Sequence, residues 1–142
     1  MKATINKVLK ELDETLCVAE VSINQGGIQC TLNVSSNENI NSIGKTVYID
    51  LCLYSDEYKT YPHYLDYTES FERIRSDNEY DTYCKVVGKV EEVSKLEEEL
   101  HVYVKCLGNE LHIVCYNFED NPVIVGDTIS AKCWIEVIDD YK

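Results

Sequence analysis

The chain has 142 residues, 44% of them hydrophobic and 27% charged, and a formal charge of −13. That length allows one medium domain or two small ones, and the charge argues against a protein that holds nucleic acid or an anionic membrane chiefly through Lys and Arg. No stretch is apolar over the length of a membrane span, and the opening residues, with Lys2, Lys7, Lys10, Glu11, Asp13 and Glu14, lack a signal-peptide pattern, so a cytoplasmic location is expected.

Strand signals dominate from the start. A first strand is expected over 3–12. Segment 15–23 then alternates, with Cys17, Ala19, Val21 and Ile23 on one side and Val18, Glu20 and Ser22 on the other. Gly26-Gly27 supplies a turn that tolerates positive φ. Segment 28–34 puts Ile28, Cys30, Leu32 and Val34 on one face, and segment 46–54 does the same with Val47, Ile49, Leu51 and Leu53. Period-two alternation means one buried face and one wet face, as in antiparallel meanders.

Residues 55–81 differ in kind. Tyr58, Tyr61, Tyr64 and Tyr67 recur every third residue. Pro62 rules out one continuous helix, but Tyr64, Tyr67, Phe71 and Ile74 fall at helical spacing after it, which predicts a short helix near 63–75. Strands follow over 82–94, 99–107, 110–116 and 128–138, with a Gly108-Asn109 turn between the second and third.

The strands after the connector repeat those before it. Residues 5–54 and 87–136 overlay with a shift of 82 at their ends and 83 in the middle. Ile5 and Val8 meet Val87 and Val90; Val21 and Ile23 meet Val104 and Cys106; Ile28 and Leu32 meet Leu111 and Cys115. Gly44 and Thr46 meet Gly126 and Thr128. An internal duplication is therefore expected. Each unit is short for an independent core, so the copies should pack on each other or on the connector. The organisation reads as half 1 over 1–54, a Tyr-rich connector over 55–81, and half 2 over 82–142.

The chain carries seven cysteines, an odd number. Cys17, Cys30, Cys106, Cys115 and Cys133 sit on the apolar side of alternating strands, where a free thiol acts as a small buried hydrophobe.

Gly88-Lys89-Val90 on a first strand, a Gly turn joining the next two, and Val125-Gly126-Asp127-Thr128-Ile129-Ser130-Ala131-Lys132 entering a late strand resemble the S1-like kind of oligonucleotide/oligosaccharide-binding (OB) barrel. The whole chain also resembles small uncharacterised bacterial proteins with tandem OB-like halves. The resemblance implies an all-β fold of two OB-like antiparallel barrel halves related by internal duplication, with a short helix in the connector. It implies no activity. S1-like domains stack bases on aromatics of the second and third strands. Here those outward positions hold His101, Tyr103 and Lys105, then Glu110, His112, Val114 and Tyr116.

Chemical motifs are missing. Gly44-Lys45-Thr46 lacks the earlier glycine and the following helix of a phosphate loop. No C-x-x-C or H-x3-H spacing marks a metal site. No Gly-x-Ser-x-Gly or evident Cys–His pairing marks a nucleophile. No catalytic residue, metal or cofactor is expected, and the chain reads as non-enzymatic. The leading reading is an acidic protein-interaction module, of inhibitor or immunity type, for a basic partner. Tyr58, Tyr61, His63, Tyr64 and Tyr67 are its candidate contacts, because tyrosine is enriched at interfaces. The alternative is a single-stranded RNA binder using Tyr103, Lys105 and Tyr116, which the charge disfavours.

Overall fold

The computed structural model describes residues 1–11, 17–36, 43–44, 46–75, 81–116 and 122–141. These hold nine strands and no helix. In chain order they are β1 (Lys2–Glu11), β2 (Cys17–Gln25), β3 (Ile28–Ser36), β4 (Thr46–Tyr61), β5 (Ser70–Arg73), β6 (Tyr83–Leu96), β7 (Glu99–Cys106), β8 (Asn109–Cys115) and β9 (Thr128–Tyr141).

Alternation fixes which way the strands face. Ala19, Val21 and Ile23 of β2, Val102, Val104 and Cys106 of β7, and Ile129, Ala131, Cys133 and Ile135 of β9 are all buried, and they join one hydrophobic cluster. Val18, Asn33 and Val114 depart from the pattern: they sit at outward positions yet are buried. Asn33 is covered from the far side of the connector, where its Nδ2 donates to the Asp81 carbonyl at 3.5 Å.

β6, β7, β8, β4 and β9 close into a five-strand barrel. Four of its ladders are antiparallel. The fifth, β8 against β4, is parallel through Leu53↔Ile113, Tyr54↔Val114 and Ser55↔Cys115. This closed mixed barrel is compatible with an OB-like barrel, and its fourth wall comes from before the connector. β1, β2 and β3 form a separate three-strand antiparallel sheet. That sheet joins β4 at Lys2↔Tyr48, Ala3↔Val47 and Thr4↔Thr46, and joins β9 in parallel at Ser35↔Glu136 and Ser36↔Val137.

The helix expected near 63–75 does not form. β4 runs on to Tyr61, a turn closed by Leu65 N–H donating to the Pro62 carbonyl (3.0 Å) follows, and β5 pairs with β6. The physical reason lies in burial. Phe71 is buried as part of β5, opposite Val86, whereas Tyr64 and Tyr67 are exposed, so the helical spacing has no single apolar face to bury.

Two hairpin turns lock the three-strand sheet to the barrel. Gly27 N–H donates to the Leu107 carbonyl at 2.9 Å, and buried Asn109 donates from Nδ2 to the Gln25 carbonyl (3.0 Å) while accepting at Oδ1 from Gln25 Nε2 (3.1 Å). A Cβ on Gly26 would lie 2.8 Å from Asn109 Nδ2, so the close approach needs glycine there.

Gly88 marks a second close approach, inside β6. A Cβ there would meet Val104 Cγ1 at 2.5 Å and the Lys105 carbonyl oxygen at 2.7 Å. The oxygen belongs to the backbone of a barrel strand and cannot swing aside. Gly88→Ala should therefore lower unfolding free energy by about 1–3 kcal/mol, as overpacking does. Urea unfolding followed by circular dichroism checks this; an unchanged midpoint would show that β6 and β7 have slack.

Candidate functional site

The sequence-predicted partner residues divide between the barrel interior and one end of it. Tyr58 sits opposite Ala131 in the β4–β9 ladder and is buried. Burial, with the neighbouring Cys115 thiol adding to it, pushes its phenol up to about 12. Tyr61 ends β4, and its ring lies 4.1 Å from that of Tyr67. His63 N–H donates to Asp127 Oδ1 at 3.1 Å, with the imidazole Nδ1 at 3.7 Å from the same oxygen. Asp127 N–H in turn donates to the Ile124 carbonyl. These bonds hold the 62–67 turn against the 122–127 turn.

The result is an apolar patch built from two turns. Tyr64 is 75% exposed, Leu65 43%, Tyr67 41%, Ile124 59% and Val125 58%. They make up most of the exposed large hydrophobic residues among the described ones. Side chains of this size, unburied on two turns tied to each other, mark interaction sites. Along the same segment Asp56, Glu57, Asp66 and Glu69 are exposed, against Lys59, and Lys89 stands opposite Thr128 at this end of the barrel.

The nucleic-acid candidates join two different aromatic groups. Tyr103 stacks on His112, with centroids 4.7 Å apart and planes 11° apart. His101 Nδ1 and His112 Nε2 lie 2.8 Å apart, so a single proton is shared between them. On its other side His101 Nε2 is 3.3 Å from Glu99 Oε2, without hydrogen-bond geometry. Lys105 is exposed and stands opposite Glu110 and Lys89 in the ladders. Tyr116 does not join this group.

Tyr116 belongs instead to a trio that the sequence did not disclose. Its ring lies 6.4 Å from Tyr54 and 6.0 Å from Trp134, and Tyr54 and Trp134 are 5.6 Å apart. All three planes agree within 15°. All three rings are half-buried. They meet because β4 lies between β8 and β9, pairing Tyr54 with both Val114 and Trp134. A bulge between Tyr54 and Glu57 holds that register: buried Ser55 donates its hydroxyl to the Lys132 carbonyl (2.8 Å) and accepts from Glu57 N–H (3.3 Å). Beside the trio, Lys132 Nζ stands 5.0 Å from the centroid of the Tyr83 ring, and Tyr83 pairs with Trp134.

The thiols are mostly interior. Burial pushes Cys106 up to about 11 and Cys115 up to about 12, which keeps them protonated and poor nucleophiles. Among the described residues no three His, Cys, Asp or Glu side chains are placed to hold a metal ion. Nor is any helix long and apolar enough to cross a membrane. Compared with known proteins, the chain matches no family, no curated protein and no solved structure.

The histidine pair has a measurable consequence. Burial, then the neighbouring His101, hold His112 below its ordinary 6.5. The folded state thus prefers neutral His112, while the unfolded chain takes up a proton near 6.5. Stability is full above that pH, falls as pH drops toward the lowered folded value, and levels off below it. His112→Gln should flatten this part of the profile in chemical denaturation; an identical slope in variant and parent would remove the histidine pair as its source.

Proposed function

We propose that this protein is a non-enzymatic interaction module, of inhibitor or immunity type, that docks a basic protein on the Tyr64, Leu65, Tyr67, Ile124 and Val125 patch. The observation that carries this reading is the patch itself: exposed apolar rings and aliphatic chains from two turns, joined at His63 and Asp127, with exposed carboxylates at Asp66 and Glu69 on the same segment. Apolar contact supplies affinity, and the charge of −13 steers a cationic partner towards it. Tyr61 stiffens the patch from behind through its stack on Tyr67. Seven cysteines, an odd number and mostly interior, favour a reducing, cytoplasmic setting.

We also read the architecture as two OB-like halves related by duplication that exchange their last strands. Several paired contacts support it. Gly44 N–H donates to the Ile5 carbonyl (2.7 Å) and Gly126 N–H to the Val90 carbonyl (2.8 Å). The first strands bulge just past those residues, between Ile5 and Lys7 and between Val90 and Glu92. Each third strand, β3 or β8, meets the other half's last strand in parallel. These contacts align Ile5 with Val90, three residues further on than the sequence overlay. A crystal structure in which 2–11 and 17–36 fail to superpose on 83–115 would refute the duplication.

A second reading, single-stranded RNA on the β7–β8 face, draws on the stacked Tyr103 and His112 with Lys105 at hand. It lacks the surplus of cations that phosphate binding requires.

Affinity capture of the tagged protein from its native lysate, with and without nuclease, separates the two. The expected result is a basic protein kept after nuclease treatment and lost from the Tyr64→Ser, Leu65→Ser double variant. Loss of an interface anchor costs about 2 kcal/mol or more. Retained nucleic acid that nuclease releases, and that Tyr103→Ala abolishes, would overturn the protein-partner reading in favour of the β7–β8 face.

A further inference from the structure

We infer that Cys84 and Cys133 form a reversible disulfide under peroxide, a redox latch on the seam where β6 meets β9. This site is independent of the docking patch.

The register places the pair. Cys84 lies directly opposite Cys133 in the antiparallel β6–β9 ladder, and both side chains are buried in the barrel core. Ile135 N–H donates to the Thr82 carbonyl at 2.9 Å. Ladder bonds recur at every second residue pair, so Cys84 and Cys133 are also a hydrogen-bonded pair, with Cα atoms about 5.5 Å apart. A disulfide spans roughly 4.4 to 6.8 Å between Cα atoms. The two thiols also feel each other. The Cys84 side chain, ahead of burial, holds the Cys133 thiol well above its ordinary 9.0. Cys115 is a third thiol close to Cys133, but it stands on β8, which no ladder joins to β9 among the described residues.

The same placement sets when the bond forms and how firmly it holds. Both residues are 0% exposed, so peroxide reaches them only when β9 parts from β6. One thiol then gives its proton to water and attacks the peroxide. An S–O bond forms, the O–O bond breaks, and hydroxide leaves and is protonated to water. The second thiol, deprotonated in its turn, attacks the sulfenic sulfur. The S–S bond forms, the S–O bond breaks and a second water leaves, so two electrons pass from the thiols to the peroxide. Opposed strand residues hold their Cβ atoms about 4.5–5.5 Å apart, hydrogen-bonded pairs at the wide end, against about 3.8 Å in a relaxed disulfide. Closing the bond pulls the strands together, and a bond made in that way is readily reduced. While it lasts it resists the opening that let it form.

The full-length protein would be treated with hydrogen peroxide in increasing urea below its unfolding midpoint. Remaining thiols would be blocked with N-ethylmaleimide and the digest mapped by mass spectrometry. The expected product carries one Cys84–Cys133 link and has lost two hydrogens. It should form faster as urea rises, be cleaved by dithiothreitol, and unfold at a higher urea midpoint than the reduced protein. Cys84→Ala and Cys133→Ala should each abolish the link and the gain in midpoint. If either variant fails to fold, the map of the parent decides alone. A link from Cys133 to Cys115, sulfinic acid without a link, a scramble across the seven cysteines, or an unoxidised pair would each overturn the inference, as would a linked protein no more stable than the reduced one.

Discussion

The antiparallel ladder between β4 and β9 is the constraint on which the rest of the structure depends. It runs from Tyr48↔Tyr141 to Tyr61↔Thr128. A strand has two hydrogen-bonding edges. β4 gives one edge to β9 along this length and divides the other between β1, at Thr46 to Tyr48, and β8, at Leu53 to Ser55. β9 divides its second edge between β6 and β3 in the same manner. The barrel therefore cannot close without a strand from before the connector, and the three-strand sheet leans on one from the end of the chain. This explains why the two are the longest or nearly the longest strands, at 16 and 14 residues. Bulges at Ile49/Leu51 and Tyr54/Glu57 add the local bend and twist that let one ribbon serve two curved sheets.

Most of the inner surface was legible in the sequence because burial on one side of a strand imposes a period of two. Ala19, Val21, Val104, Ile113, Ala131 and Cys133 all face inward as alternation requires. What alternation cannot convey is which strand lies beside which. The pairing of Tyr54 with Trp134 spans 80 residues, and nothing local in either strand signals it. For the same reason Tyr103 and Tyr116, close in sequence, join different aromatic groups: Tyr103 pairs with His112 across the β7–β8 hairpin, whereas Tyr116, just past the end of β8, meets Tyr54 of β4 on that strand's other edge.

The connector shows how a spacing can mislead. Tyr58, Tyr61, Tyr64 and Tyr67 are three residues apart, but they occupy three environments. Tyr58 is a core residue of a strand, Tyr61 and Tyr67 stack on each other across a turn, and Tyr64 points to solvent. A helix needs its apolar positions to face one surface. Here the surface they would have shared is divided by Pro62 and by the hydrogen bond that fastens His63 to Asp127.

The two exposed aromatic groups differ in what they can contribute to recognition. The turn patch is assembled from side chains at 41 to 75% exposure on turn backbones, so contact with a partner would bury much apolar area but must also order those side chains. The trio has already lost about that freedom, because each ring stands on or just beyond a barrel strand and is half-buried. Its available area is smaller and its orientation is fixed. The trio is fixed by the ladders on either side of β4, whereas the patch is fixed only by the bonds between two turns.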